Sequence, residues 1–482
     1  MRCYRAMSFR LAPARPPAVA AEAMVATSQP LATRAGLRAL ERGGNAIDAA
    51  VAAAAVLCVT EPMSTGIGGD AFALLWTGGG VVGLDAAGPA PRGADPDAPV
   101  AERGPSSVTV PGAVAGWAAL VEEHGALGLD TLLSDAIAAA EDGFAVGAVT
   151  AGDWAEAEVP PELGPRPAVS ERVRLPELGA TLRHIAEDGA DGLYRGEIAR
   201  AIASSTWLDE EDLAAYAPRW VEPLSLAYRG FTVHELGPPT QGVAALEGLG
   251  LLALGEPTLA AQVECVRLAL EDALAHVRDG ADVGELLEAG ALARRRLQTA
   301  RPVAEPGGGT VYLCAADRGC AVSFIQSLYW GFGSGVVAPG TGVVLQNRGA
   351  GFAVGGRVEP GRRPYHTLVP GLLTLDGELH GVFGVMGGFL QAQAHVQLVS
   401  ALVDGGLDPQ AALDRPRFRV EGEDVLLEEG LWERAGELEA LGLRPFASRE
   451  RSRFGGGQAI LVEGDVLVGG SDGRKDGYAA GF

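Results

Sequence analysis

The junction EPGGG followed by TVYLCAAD, residues 305–317, is where this sequence concentrates chemistry. If the chain were cut between Gly309 and Thr310, the threonine would carry a hydroxyl nucleophile and a free α-amine, whose unperturbed pKa of about 8 lets it act as base at neutral pH. One residue would then supply two catalytic roles. Glycines before the cut suit such a step, because the hydroxyl must reach the preceding carbonyl in a bent backbone that bulky residues resist. Read from the residues alone, Thr310 also fits the commoner role of an ordinary first residue of a strand.

Other motifs lose on context. GGSDG at 469–473 has the G-x-S-x-G form of a nucleophile elbow, but no helix follows Ser471 and too little chain remains for the Asp and His of that fold. No HExxH, P-loop, CxxC or GxGxxG after a strand is present, so no metal and no cofactor is expected. Lys475 is the only lysine, which removes Schiff-base chemistry from most of the chain.

From about Met24 to Gly481 the sequence resembles the γ-glutamyltranspeptidase (glutathione hydrolase) family of N-terminal-nucleophile hydrolases. The blocks that carry the resemblance are GGNAIDAAVAAAAVLCVTEPMSTGIGGDAF, SVTVPGAVAGW, TVYLCAADRGCAVSFIQSLYWGFGSGVVAPGTGVVLQN and GVFGVMGG. The resemblance implies an α/β, four-layer αββα sandwich built from a precursor that cleaves itself into two subunits. It implies cleavage between Gly309 and Thr310, Thr310 as the nucleophile of an acyl-enzyme, and Gly387 and Gly388 as the glycines of the oxyanion hole. Ser327 falls where the family has a threonine near the nucleophile, and Asn347 matches an asparagine of the loop lining the site. Without the resemblance, the glycine pair reads as a turn and Ser327 as a polar strand residue.

Departures from the family pattern bear on the substrate. True γ-glutamyl enzymes hold the α-carboxylate with an arginine, where this chain has Ala87, so a bidentate anion clamp is missing. Tyr329 stands at the usual asparagine, Arg348 and Gly351 at a Gln and an Asp, and His366 and Thr367 at paired serines. These changes imply retained amide chemistry with an altered acyl pocket, that of an acylase or short-chain amidase. Arg348, or the pair Arg362 and Arg363, is a candidate to bind another carboxylate, and a structural role for Arg348 stands beside that reading. His366 either orients substrate or fills a hydrogen-bonded position. Two alternatives remain: a genuine glutathione hydrolase with different anchors, and an unprocessed, non-catalytic scaffold.

The elements that must position these residues follow from periodicity. Ala-rich segments on both sides of Gly43-Gly44 favour helix, the second apolar nearly all round from Ala49 to Val59. Asp70 to Trp76 reads as a strand paired with Gly80 to Leu84. Two β-hairpins are expected, one turning at Asp317-Arg318-Gly319 and one at Asp376-Gly377, with a helix after the second. The expected organisation is an irregular segment 1–23, a helix-rich large subunit 24–309 and a strand-rich small subunit 310–482, all in one intertwined unit.

Composition excludes several partners. Acidic residues outnumber basic ones 61 to 38, a net charge of -23 with no basic tract, which weighs against nucleic-acid binding. The longest apolar run, Ala49 to Val59, is far below the ~20 residues of a membrane span. Five scattered cysteines, Cys3 among them, suit a reducing compartment, and a cytoplasmic location is the simpler expectation beside a periplasmic or secreted one. The expected partners are a small amide or peptide-like substrate and the two processed subunits for each other.

Overall fold

The computed structural model describes residues 15–303 and 309–482. Cys3, most of the basic N-terminal segment and Glu305 to Gly308 of the junction lie outside them.

Two seven-stranded sheets stack face to face. The first sheet has at its centre the hairpin Gly309–Asp317 and Ala321–Tyr329, flanked by Ala23–Thr27 on one side and by Asp70–Trp76 and Val81–Ala86 on the other. The second sheet is centred on Glu378–Met386, between Gly371–Leu375 and Gly456–Glu463. Alternate side chains of a strand point to opposite faces, so one face of each sheet can meet the other sheet. Phe72, Tyr312, Ile325, Leu372, Val382 and Ile460 form this inter-sheet core.

Helices cover both outer faces, completing the expected αββα sandwich. On the first sheet lies Ala46–Thr60, buried along its whole length as its composition predicts, with a reciprocal Asn45–Asp48 capping box at its start. On the second sheet lie Gly242–Ala253, Leu259–His276 and Leu390–Val403. At ~25 cal/mol per Å² of apolar surface buried, these three interfaces are the main source of stability.

Both expected hairpins form, and Asp376 and Gly377 adopt φ +53° and +88°, as a two-residue turn with left-handed residues requires. Two expectations are corrected. Ala18–Ala20, within the segment read as irregular, is an edge strand paired with Val466–Ser471. The chain before residue 309 is less purely helical than its composition suggests, since it contributes strands to both sheets. Several of these strands are three to five residues long, and their existence rests on long-range partners that no local pattern reports. Strands from either side of the Gly309–Thr310 bond therefore interleave in both sheets. No helix among the described residues is long and apolar enough to cross a membrane.

Candidate active site

Register across three adjacent strands builds the site. Gly309 pairs with Tyr329 and Val311 with Gln326, so Ser327 and Leu328 form a bulge opposite Thr310, whose side chain lies against Ser327. Ser327 pairs in turn with Asp70 on the neighbouring strand. The preceding turn, STGIGGD, must be glycine-rich because the chain runs very close to its neighbours. A Cβ at Gly68 would come 2.2 Å from the Val344 carbonyl oxygen, and one at Gly69 2.5 Å from that of Ser327.

Thr310 is almost fully buried, and its hydroxyl donates a long bond to Ser327 Oγ at 3.4 Å. Ser327 Oγ donates to the Gly309 carbonyl oxygen at 2.5 Å and accepts from the Tyr329 backbone N–H at 2.7 Å. One serine thus touches both the candidate nucleophile and the carbonyl preceding it. From the opposite sheet, Gln391 Nε2 donates to Thr310 Oγ at 3.3 Å.

Gly387 and Gly388 sit between the end of strand Glu378–Met386 and helix Leu390–Val403, with φ of +134° and +62° that side chains would oppose. The Gly387 carbonyl accepts from Leu390 N–H at the start of the helix, so the N–H of the same trans peptide, on Gly388, points the opposite way. Gln241 donates to the Gly388 carbonyl at 3.3 Å and to that of Thr367 at 2.9 Å, fixing the turn from behind. Gly387, Gly309 and Thr310 line a cleft of about 370 Å³ shared with Ser64, Gly455 and Lys475. A roomier groove of about 1020 Å³ runs between helices around Leu129 and Arg183 and contains none of these groups.

Behind Ser327 lies a second buried group. Arg348 is fully buried, its guanidinium carbon 4.0 Å from the centre of the Tyr329 ring and its Nη2 at 3.5 Å from Ser327 Oγ. Tyr329 holds φ +79°, a left-handed conformation costly for an aromatic residue. Asp70 faces Arg348 at 3.9 Å and His366 at 3.4 Å. Asp70 Oδ2, both His366 ring nitrogens, Nε and Nη1 of Arg348 and the Thr367 hydroxyl have no hydrogen-bond partner. Burial dominates the electrostatics: it pushes the Asp70 carboxyl up to about 7 despite Arg348, draws Arg348 down to about 10, and with Arg348 holds His366 well below the usual imidazole range.

The other candidates separate cleanly. Asn347 is a structural tie, its amide donating to the Glu102 carbonyl and accepting from Trp330 N–H. Arg363 is committed to Asp85 at 3.4 Å and to the Ala87 carbonyl at 2.6 Å, and Arg362 is largely exposed near Asp279. Of the three arginines weighed as anion anchors, Arg348 alone adjoins the Thr310–Ser327 pair. Ser471, of the GGSDG motif, is a buried strand end bonded to the Thr27 carbonyl. Sequence reasoning missed Asp70, Gln241 and Gln391. Their signal was polarity in segments otherwise buried throughout: helix Leu390–Val403 buries Gln391, Gln393 and His395 completely.

Comparison with known proteins identifies the family. The gamma-glutamyltranspeptidase family model matches residues 32–482. The chain is 34% identical to the oxamate amidohydrolase proenzyme of Klebsiella pneumoniae, over 96% of this chain and 99% of the relative. It is 32% identical to the glutathione hydrolase-like YwrD proenzyme of Bacillus subtilis, over 95% and 98%. Among solved structures, cephalosporin acylase from Bacillus halodurans superposes with a TM-score of 0.90 at 39% identity, covering 100% of this chain and 99% of that one. These relatives are amidohydrolases, acylases and hydrolases, which sets aside the non-catalytic scaffold. With its αββα fold and a match across nearly its whole length, the chain is an enzyme of the N-terminal-nucleophile hydrolase superfamily and belongs to the gamma-glutamyltranspeptidase family.

Proposed function

We propose that this chain is a self-processing amidohydrolase that cleaves its own Gly309–Thr310 bond and then hydrolyses small amides whose acyl group carries a carboxylate. The observation that carries the reading is Ser327 Oγ, which accepts from Thr310 and donates to the Gly309 carbonyl. Thr310 Oγ attacks that carbonyl carbon, and its proton passes through Ser327 to the carbonyl oxygen. The C–N bond then breaks, the proton moves to the departing nitrogen, and an ester links Gly309 to Thr310 Oγ. Water hydrolyses the ester, leaving a Gly309 carboxylate and a free α-amine on Thr310.

In the cleaved enzyme that amine is the base, so a histidine is unnecessary. Thr310 Oγ attacks the substrate carbonyl, the amine or ammonia leaves, and water releases the acyl group as its acid. Gly387 and Gly388 supply N–H groups to the developing oxyanion, where a single donor is worth about 10²–10³ in kcat. Arg348 anchors the acyl carboxylate, in keeping with its unpartnered nitrogens and with a relative named oxamate amidohydrolase. Ala87 offers no side-chain charge for a glutamyl α-carboxylate. The two processed pieces stay together through the interleaved sheets.

Denaturing gel electrophoresis with N-terminal sequencing tests the processing step. The wild type is expected to give two pieces, one beginning TVYLC, and Thr310→Ala a single inactive chain. Processing of Thr310→Ala at the same bond overturns the mechanism. In a substrate panel, oxamate-like and dicarboxylic monoamides should outperform γ-glutamyl anilides. Strong γ-glutamyl turnover inhibited by free glutamate would overturn the acyl-pocket reading.

A further inference from the structure

Gln391 is fully buried at the second position of helix Leu390–Val403, and its amide bridges two sites. Its Oε1 accepts from the Val369 backbone N–H at 3.0 Å, and its Nε2 donates to Thr310 Oγ at 3.3 Å. An amide's two ends look alike in most structures, but here the neighbours decide the orientation. Val369 N–H can only donate, so the end facing it must be the carbonyl oxygen, and the NH₂ must face Thr310.

That orientation constrains the threonine proton. A hydroxyl has one hydrogen and two lone pairs, and an amide NH₂ is a donor only. Thr310 Oγ must therefore accept from Gln391 and send its own hydrogen elsewhere, to Ser327 Oγ in the uncleaved chain. Ser327 in turn sends its hydrogen to the Gly309 carbonyl. The chain Gln391, Thr310, Ser327, Gly309 has one direction, from amide to scissile carbonyl. We infer that Gln391 is a catalytic residue of this enzyme, a donor that sets the direction of proton transfer from the nucleophile. The inference rests on Thr310 being that nucleophile.

The same contact serves the cleaved enzyme. Once the Gly309–Thr310 bond is cut, Ser327 Oγ loses the scissile carbonyl as the acceptor of its hydrogen, and Gln391 still refuses the Thr310 hydrogen, which is left with only Ser327 Oγ or the freed α-amine to accept it. The amide also lies beside the oxygen on which negative charge accumulates whenever the acyl-enzyme breaks down. A donor there favours that charge without changing substrate binding.

Two substitutions test the inference. Gln391→Met keeps the volume and a weak acceptor for Val369 N–H but removes the donor. It is expected to slow self-processing and to lower kcat by about 10-fold, the size of one neutral hydrogen bond, with KM unchanged. Gln391→Glu keeps the shape and a good acceptor for Val369. When ionised it accepts from Thr310 and reverses the direction of the chain, whereas when protonated it can donate as glutamine does. A pulse of full-length chain made by cell-free translation is exchanged into buffers from pH 5 to 9, and the two-piece product is followed on denaturing gels. Gln391→Glu is expected to lag wild type by 10-fold or more at pH 8, with the gap closing toward pH 5. A Gln391→Met enzyme as fast as wild type, or a Gln391→Glu to wild-type ratio that does not change with pH, overturns the inference. If instead wild type fails to split before Thr310, or Thr310→Ala still splits there, the nucleophile reading itself has failed.

Discussion

Two buried aspartates, each facing arginine, have opposite characters in this protein. Asp472 accepts from Arg417 at 2.6 Å, from Arg474 at 3.0 Å, and from the backbone N–H groups of Gly457 and Arg474. Burial alone would raise its pKa, but Arg417 and Arg474 more than offset this and hold the carboxyl below its usual range. Asp70 stands 3.9 Å from Arg348 with one oxygen unbonded, and there burial wins, pushing it up to about 7. Satisfied charges at one group and orphaned ones at the other distinguish a structural clasp from the proposed anion anchor. The Asp472 group closes the C-terminal strands onto the Phe418–Glu428 hairpin through Arg474 and Glu428. The Arg348 group has unspent hydrogen-bonding capacity beside Ser327 and the proposed nucleophile Thr310.

The largest effect should come from opening the clasp. Asp472→Ala leaves Arg417 buried without its carboxylate, and removing one partner of such a group typically costs about 3–5 kcal/mol. Urea unfolding of the Thr310→Ala precursor, with and without Asp472→Ala, measures it. A loss under 1 kcal/mol would erase the contrast.

Arg348→Met should behave in the opposite way. The guanidinium is desolvated and poorly paired, so a hydrophobic side chain of similar volume is expected to leave stability unchanged or raise it, measured at pH 6, where Asp70 is mostly neutral. Catalysis should suffer instead. Two charged hydrogen bonds to a carboxylate are worth about 1.5 kcal/mol or more each, so kcat/KM for an oxamate-like amide should fall by about 100-fold or more. A neutral acyl amide should lose little. Equal losses on both substrates would make Arg348 structural after all.

This contrast marks the limit of what the sequence could say. Both hairpins and the buried helix Ala46–Thr60 were legible, because each is written in neighbouring residues. The turn Asp376-Gly377 and the run from Ala49 to Val59 carry their own local signatures. The Asp70–Arg348–His366 group draws on residues nearly 300 positions apart, joined only by strand register and by the Thr240–His366 bridge. Gln391 shows the same gap. Nothing local separates it from Gln393, which is tied to the Val420 backbone rather than to Thr310.

The finest test uses the titration of Asp70 itself. Its folded pKa of about 7 lies above the ordinary 3.8, so the fold favours the neutral carboxyl. That contribution to stability is complete below about 4 and is lost as pH rises to 7. The same proton governs the anchor. Below pH 7 Arg348 faces an incoming carboxylate with its charge unopposed, whereas above it the Asp70 anion competes for the guanidinium. Binding of oxalate to the processed wild type should therefore weaken several-fold between pH 6 and pH 8. Asp70→Asn keeps the acceptor for Gly88 N–H and removes the charge, so its oxalate affinity should stay flat over that range at the level of the acidic wild type. An affinity that falls equally with pH in both proteins would assign the titration to another group, the Thr310 α-amine being the next charge at hand. The orphaned Asp70 oxygen would then be packing and nothing more, and the two aspartates would differ in geometry but not in purpose.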